Sequence, residues 1–378
     1  MARNLSLTFK LLMRLLFINS IGKKKWGGGE KWMVLAAKEL MKKGHHVLIG
    51  CRKHSILEYR SKSAGLTVVN IDIYSDISLR GGIQLRNVVD KEEIDLIIGC
   101  QNKDVRVAGL MSKLTRGPLV ISRQGVQLLH KSNKYKWSFL PLCDGIITNT
   151  YSIKKEYDSY GWWGKDYVKV IHNGIPCLEE KNDAFDLTSI LPVINGQTRI
   201  VVSTGRLAQQ KGFQFLIEAA QQIVKQDNNV HFIIAGKGKL EASLKKQIMQ
   251  AGLEQNVHLI GFQANVHALL KVADIFVLPS LYEGMPNALM EALANGVPAV
   301  STDVNGVSEL MKDEEHGYIV TSGNVSELSK AISKLLADKN LVDKGRKARE
   351  HVTNQFSVDK MVQNLELHLQ ELIANKVR

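Results

Sequence analysis

The stretch Ile275-Phe276-Val277-Leu278-Pro279-Ser280-Leu281-Tyr282-Glu283-Gly284-Met285-Pro286-Asn287-Ala288-Leu289-Met290-Glu291 decides the fold. Its first four residues are a short β-rich apolar run, the pattern of a strand covered on both faces. Pro286 suits the first turn of a helix that runs to about Asn295, with Gly296 as its stop and Pro298 beyond. A strand feeding a helix through such a turn is one unit of a parallel α/β sheet. The backbone from Gly284 through Met285, Pro286 and Asn287 lies at the positive end of that helix, where free N–H groups can meet phosphate or sugar oxygens. Glu283 and Glu291 flank this entry, and an ionised carboxylate accepts from paired hydroxyls. As a bare spacing the two glutamates could equally be solvated charges that complement the helix dipole. Their strand-turn-helix setting points instead to a ligand carrying both phosphate and sugar.

The same alternation runs outward in both directions. Before residue 150 the expected strands are Leu15–Asn19, His46–Cys51, Leu66–Ile71, Asp95–Gly99, Leu119–Ser122 and Gly145–Thr148. After residue 197 they are Ile200–Thr204, His231–Ala235, Val257–Ile260, Ile275–Leu278, Ala299–Ser301 and Tyr318–Val320, with helix-length segments between them. The segment 178–197 breaks the rhythm with polar residues, Pro192 and Gly196. This predicts an α/β protein of two doubly wound, parallel-sheet (Rossmann-like) domains. The first spans 1–177, a linker spans 178–197, the second domain spans 198–357, and a helix closes the chain over 358–378. Ligands of such sheets sit at the carboxyl ends of the strands, so a cleft lined by both domains is expected.

A chain of 378 residues is long for one core and right for two. Cys51, Cys100, Cys143 and Cys177 form no C-x-x-C pair and sit in or beside apolar runs, so they read as small buried hydrophobes. The histidines also lack ligand spacing, and neither a metal nor a cofactor is expected. Charge is uneven: residues 1–177 hold 29 Lys+Arg against 14 Asp+Glu, and the rest hold 21 against 23. A basic first half beside a near-neutral second half suits an anionic membrane surface or a phosphorylated acceptor, although a solvated surface without a dedicated partner has the same composition. Lys23-Lys24-Lys25 beside Trp26 is too short a cluster for nucleic acid. No run reaches the roughly 20 apolar residues of a membrane span. Residues 1–12, interrupted by Lys10, read as an extension or a short amphipathic surface anchor.

Two further clusters carry chemistry. Gly205-Arg206-Leu207 and Lys211-Gly212 follow the first strand of the second half, where two cations can neutralise a diphosphate. Gly27-Gly28-Gly29-Glu30 follows the first strand of the first half, and glycines there allow close backbone approach to a phosphate.

Together these residues resemble the GT-B retaining glycosyltransferases of family 4. The motifs are G-G-x-E at Gly27–Glu30, N-G-I at Asn173–Ile175, G-R-L with K-G at Gly205–Gly212, A-G-x-G at Ala235–Gly238, G-F at Gly261-Phe262 and E-G-x-P-x-x-x-x-E at Glu283–Glu291. The resemblance implies that the second domain holds a nucleotide-sugar donor, a UDP- or GDP-sugar. Arg206 and Lys211 would bind its diphosphate, Glu291 the ribose, and Glu283 with the backbone of Gly284, Met285, Pro286 and Asn287 the sugar and its phosphate. Gly27, Gly28 and Gly29 would close from the first domain, Phe262 would lie near the base, and Asn173 would sit at the cleft edge. It further implies metal-independent transfer with retention, the departing phosphate taking the acceptor's proton, so that catalysis rests on Arg206, Lys211 and Glu283 holding charge. The acceptor would be a glycan or lipid-linked molecule, reached from the cytoplasm on the inner membrane face. The chain departs from the family after Leu119–Ser122, where a histidine is common; here it reads Ser122-Arg123-Gln124-Gly125. Gln124 or Arg123 could bond the sugar in its place, and Arg123 could instead reach an acceptor phosphate. A sugar-nucleotide epimerase and an inactive nucleotide-sugar-binding scaffold share much of this pattern. The former needs acid/base groups that Arg123 and Gln124 do not offer.

Overall fold

Short runs rich in Val, Ile and Leu form strands here because both sheet faces are covered by helices, leaving most strand positions a place to bury apolar surface. The structure is a computed structural model describing residues 12–126, 128–176, 185–191 and 194–377. The expected N-terminal extension up to residue 11, Cys177 and parts of the expected linker lie outside the described residues. The chain divides into unit 1, Met1–His172 with Asp359–Arg378, and unit 2, Asn173–Val358.

Unit 1 holds β1 (Arg14–Asn19), β2 (His46–Cys51), β3 (Thr67–Asn70), β4 (Leu96–Gly99), β5 (Leu119–Gln124), β6 (Gly145–Thr148) and β7 (Val168–Val170). All pair in parallel, in the order β3-β2-β1-β4-β5-β6-β7. Unit 2 holds β8 (Arg199–Thr204), β9 (Val230–Ala235), β10 (Val257–Leu259), β11 (Ile275–Leu278), β12 (Ala299–Thr302) and β13 (Gly317–Val320), ordered β10-β9-β8-β11-β12-β13 and again parallel. The strand order reverses between β1 and β4 and between β8 and β11. At such switch points the helices leave to opposite faces and open a crevice at the carboxyl ends of the strands.

Several details differ from the sequence reading. Strand β7 was not anticipated; Val-Lys-Val is short and alternates, with Lys169 exposed at the sheet edge. Strand β5 continues through Gln124 instead of ending at Ser122, because Arg123 and Gln124 pair with Ile147 and Thr148 of β6. Pro286 caps the helix Asn287–Ala294 from outside, with extended backbone at φ −78° and ψ 94°, and is not in its first turn. The division between units falls after His172, five residues before the expected boundary. Ile175 is buried in unit 2's core and its backbone bonds Phe356 and Val358. The described part of the expected linker is also attached there: Leu191 is 2% exposed, with Phe185, Leu187 and Ile190 packed beside it. The closing helix, Val358–Val377, belongs to unit 1 from Asp359 on, where the buried Glu366 accepts from Lys43 Nζ at 2.5 Å and bonds His45 Nε2 at 3.0 Å.

Cys51, Cys100 and Cys143 are buried, and burial pushes their thiols up to about 11, about 12 and about 12, which keeps them unreactive. Among the described residues no helix is long and apolar enough to cross a membrane.

Unit 2 is held at its switch point by glycines. A Cβ on Gly212, at φ +63°, would stand 1.9 Å from the Pro279 carbonyl oxygen. One on Gly236 would stand 1.8 Å from the Gly205 oxygen, and one on Gly238 would stand 2.2 Å from that of Leu207. Backbone oxygens cannot yield as a flexible side chain can, so these positions exclude any larger residue. Gly212→Ala and Gly236→Ala should each destabilise unit 2 by on the order of 2–4 kcal/mol. All tryptophans lie between Trp26 and Trp163, in unit 1. In urea, the circular-dichroism transition should therefore move to lower denaturant while the tryptophan-fluorescence transition stays in place; an unmoved dichroism transition contradicts the packing argument.

Candidate functional site

The carboxyl ends of β8 and β11 are neighbours, and the two turns that leave them are laced together. Leu281 N donates to Gln210 O at 2.8 Å, and Gln210 Nε2 donates to Tyr282 O at 2.9 Å. The Ser280 carbonyl accepts from Thr302 Oγ1 at 2.5 Å and from Ser322 Oγ at 3.2 Å, which ties the same turn to β12 and to the loop after β13. This lacing brings together two residues 72 apart in sequence: Lys211 Nζ donates to Glu283 Oε1 at 2.5 Å. Ser280 Oγ donates to the same oxygen at 2.7 Å. Their side chains are 18% and 8% exposed, so the pair is shielded enough to hold its geometry. Both contacts fall on Oε1. The second carboxylate oxygen has no partner among the described residues and can accept from a ligand hydroxyl.

Arg206 stands on the same turn as an exposed cation, and Gly205 lets the Lys211 stem pass it at ordinary contact distance, 3.4 Å from where a Cβ would sit. Beyond Glu283, Gly284, Met285 and Pro286 are buried and lead into the helix Asn287–Ala294, whose first-turn N–H groups have no intrahelical partner. Asn173 braces this entry: its N–H donates to Met285 Sδ at 3.4 Å, and its Nδ2 donates to Asn287 Oδ1 at 2.8 Å. Glu291 is half-buried one turn further along the helix, and Phe262 is 68% exposed on the loop after β10. Unit 2 thus presents a free cation, a cation-carboxylate pair and a helix N-terminus on one sheet edge.

In unit 1 the glycines fall at a helix start: Gly27 is the cap, and Gly28 and Gly29 are the first residues of the helix Gly28–Lys42. Glu30, 5% exposed, fastens that start to the sheet. Its Oε2 accepts from Gly27 N at 2.8 Å, and its Oε1 accepts from Asn19 Nδ2, at the end of β1, at 2.9 Å. The far end of the turn is held by Asp104, fully buried, which accepts from Ser20 N at 3.0 Å and also from the Ser20 hydroxyl. Burial raises the Asp104 carboxyl to about 6 against the lowering effect of those two bonds.

Arg123 and Gln124 lie at the carboxyl end of β5, inside the sheet. Arg123 is 6% exposed and stacks on Trp32 at 4.4 Å; burial pulls its guanidinium down to about 10, with Cys100 and Glu30 acting the other way. A Cβ on Gly125 would stand 2.1 Å from Arg123 Nη1, so the glycine makes room for the guanidinium. Gln124 is 0% exposed, donates to Ser122 Oγ at 3.1 Å and accepts from the Tyr157 hydroxyl. Tyr157 in turn accepts from the Leu128 and Leu129 amides, so Gln124 positions a loop. Sequence reading missed the roles of Asn19, Ser20 and Asp104; nothing in their spacing marks them as partners. No group of three His, Cys, Asp or Glu that could hold a metal ion occurs among the described residues.

Comparison with known proteins places this geometry. Residues 26–177 match the family model described as Glycosyltransferase Family 4, and residues 191–352 match that described as Glycosyl transferases group 1. The UDP-Gal:alpha-D-GlcNAc-diphosphoundecaprenol alpha-1,3-galactosyltransferase of Escherichia coli is 27% identical over 329 residues, 81% of this chain and 82% of the relative. The lipopolysaccharide core biosynthesis glycosyltransferase LpsE of Rhizobium meliloti (strain 1021) is 26% identical over 279 residues, 73% of this chain and 75% of the relative. Among solved structures, Anabaena HepE in complex with UDP superposes with a TM-score of 0.83 at 22% identity, covering 95% of this chain and all of that one. Two parallel Rossmann-like sheets and two family models in succession give one conclusion: the chain belongs to the GT-B glycosyltransferases of the group 1, family 4 type.

Proposed function

We propose that the protein transfers a hexose-type sugar, with retention, from a UDP- or GDP-sugar to a lipid-linked or polysaccharide acceptor. The observation that carries this reading is the Lys211–Glu283 pair beside Arg206, at the switch point of unit 2. A departing diphosphate gains negative charge as the glycosidic bond breaks. Arg206 and Lys211 meet that charge with preformed donors, and the N-terminus of the helix Asn287–Ala294 adds its own. Glu283 holds Lys211 in place and offers its free oxygen to the sugar, while Glu291, further along the helix, takes the ribose. Gly27, Gly28 and Gly29 supply backbone for a phosphate, and Phe262 a ring face for the base. Arg206, Lys211 and the helix end supply the positive charge that a divalent ion would otherwise bring, so the reaction is read as metal-independent and free of cofactors. The UDP bound to HepE and the UDP-galactose named for the E. coli relative favour UDP over GDP.

The same relative is named for a diphosphoundecaprenol acceptor, and the LpsE relative for lipopolysaccharide core. With 29 Lys+Arg against 14 Asp+Glu in residues 1–177, the acceptor is read as reached at the cytoplasmic face of a membrane with anionic lipids.

Three measurements test this reading. Arg206→Ala and Lys211→Ala should each lower turnover about 100-fold or more while the circular-dichroism spectrum stays as in the wild type; near-normal turnover in both removes the diphosphate assignment. UDP should raise the melting temperature more than GDP, and ADP or CMP should leave it unchanged; equal shifts with all four end the nucleotide assignment. The protein should float with anionic vesicles at low salt and leave them as salt approaches about 1 M, where the Debye length falls to about 3 Å. Failure to bind at low salt ends the membrane placement.

A further inference from the structure

Unit 1 carries a second concentration of positive charge that the donor reading leaves unused. It lies at the carboxyl ends of three neighbouring strands. Strand β1 leads into Lys23, Lys24 and Lys25, β2 ends directly before Arg52, and β4 leads into Lys103 in the first turn of the helix Asn102–Thr115. Arg52 Nη2 and Lys103 Nζ both donate to one acceptor, the carbonyl oxygen of Ile73, at 3.2 and 3.1 Å. The two charged nitrogens are therefore no more than about 6 Å apart. Lys103 Nζ also donates to Ser20 O at 3.3 Å. Both cations are half-buried.

Neither cation has a carboxylate partner among the described residues, because the neighbouring carboxylates are engaged elsewhere. Asp104 accepts from Ser20, Asp76 is paired with Arg106 at 2.8 Å, and Asp72 faces Arg80 at 3.6 Å. One cation would satisfy the Ile73 carbonyl. A second one brought to the same oxygen adds like-charge repulsion, and burial followed by the Arg52 charge holds the Lys103 ammonium below its ordinary range. An anion between the two relieves both costs. The Arg52 guanidinium lies over the exposed Tyr74 ring at 4.5 Å, which fixes its plane, and its buried Nε has no hydrogen-bond partner among the described residues.

We propose that Arg52 and Lys103 form an anion seat in unit 1 that binds the phosphate or diphosphate of the acceptor. This rests on the glycosyltransferase reading with a lipid-linked acceptor and names what the acceptor presents: phosphoryl oxygens next to its first sugar. The donor's diphosphate has the same chemistry, so the test must separate the two.

Full-length protein saturated with UDP is titrated with geranyl diphosphate in a calorimeter, and UDP is titrated separately. The wild type should bind geranyl diphosphate with UDP present. Arg52→Gln, which keeps an amide donor for Ile73, and Lys103→Gln should each weaken that binding at least tenfold, with the UDP dissociation constant changed less than twofold. Arg52→Lys, which keeps the charge but not the planar fork, should bind geranyl diphosphate more tightly than Arg52→Gln, which shows that lost affinity is not lost folding. Unchanged geranyl diphosphate binding in both glutamine variants overturns the proposal. So does a parallel loss of UDP affinity, which gives the seat to the donor. A protein that binds geranyl diphosphate but no nucleotide would instead sink the donor assignment and leave the seat standing.

Discussion

Close approach of backbone to backbone at the unit 2 switch point is the constraint on which the site depends. The turn after β8 and the turn after β11 can exchange hydrogen bonds because Gly212 meets Pro279 with no Cβ between them, and Gly236 and Gly238 allow β9's exit the same approach to β8's. That contact sets the distance between Lys211 and Glu283. The ion pair follows from the packing: a shift of one turn by the width of a methyl group would separate two side chains that meet at 2.5 Å. A salt bridge of this kind contributes through geometry more than through net stability, since two charges withdrawn from water gain little overall.

Unit 1 solves a comparable problem with side chains. Its glycine turn is pinned at the strand end by Asn19 with Glu30 and by Ser20 with Asp104 and Lys103, and at the helix end by Gly27 with the same Glu30. Charged groups buried in this way are costly unless hydrogen-bonded, and Asp104 and Glu30 are each bonded more than once. Arg123 is held between Trp32 and Gly125, which explains why the segment after Ser122 continues as strand: a guanidinium stacked on a ring and a glutamine bonded to Tyr157 are stable at the carboxyl end of an interior strand.

Much of this was legible in the sequence. The continuous apolar run Ile275–Leu278 marked its strand to the residue, because a strand buried on both faces has no polar positions to confuse its ends. The glycine, cation and glutamate motifs of unit 2 fall together at strand exits, where Lys211 meets Glu283, because each is local in sequence. What could not be read is non-local. Ser20 and Asp104 are 84 residues apart and meet only because β1 and β4 are neighbours. Val168–Val170 was missed because three alternating residues at an edge carry too little burial to stand out from a loop. The described part of the expected linker packs on unit 2 because Leu191 and Phe185, apolar residues in a polar stretch, found a core to join.

The closing helix bears on the order of events during synthesis. Met361, Val362, Leu365 and Leu369 are buried in unit 1 together with Glu366, yet they are made after the whole of unit 2. Unit 2 is continuous from Asn173 to Val358 and has all its residues once the ribosome passes that point. Unit 1 emerges first but waits with an uncovered apolar face, and with Lys43 and His45 lacking their bonds to Glu366, until residues 359–378 arrive. The half made first is therefore the half finished last, and in the interval it is the part of the nascent chain most exposed to aggregation and most dependent on chaperones.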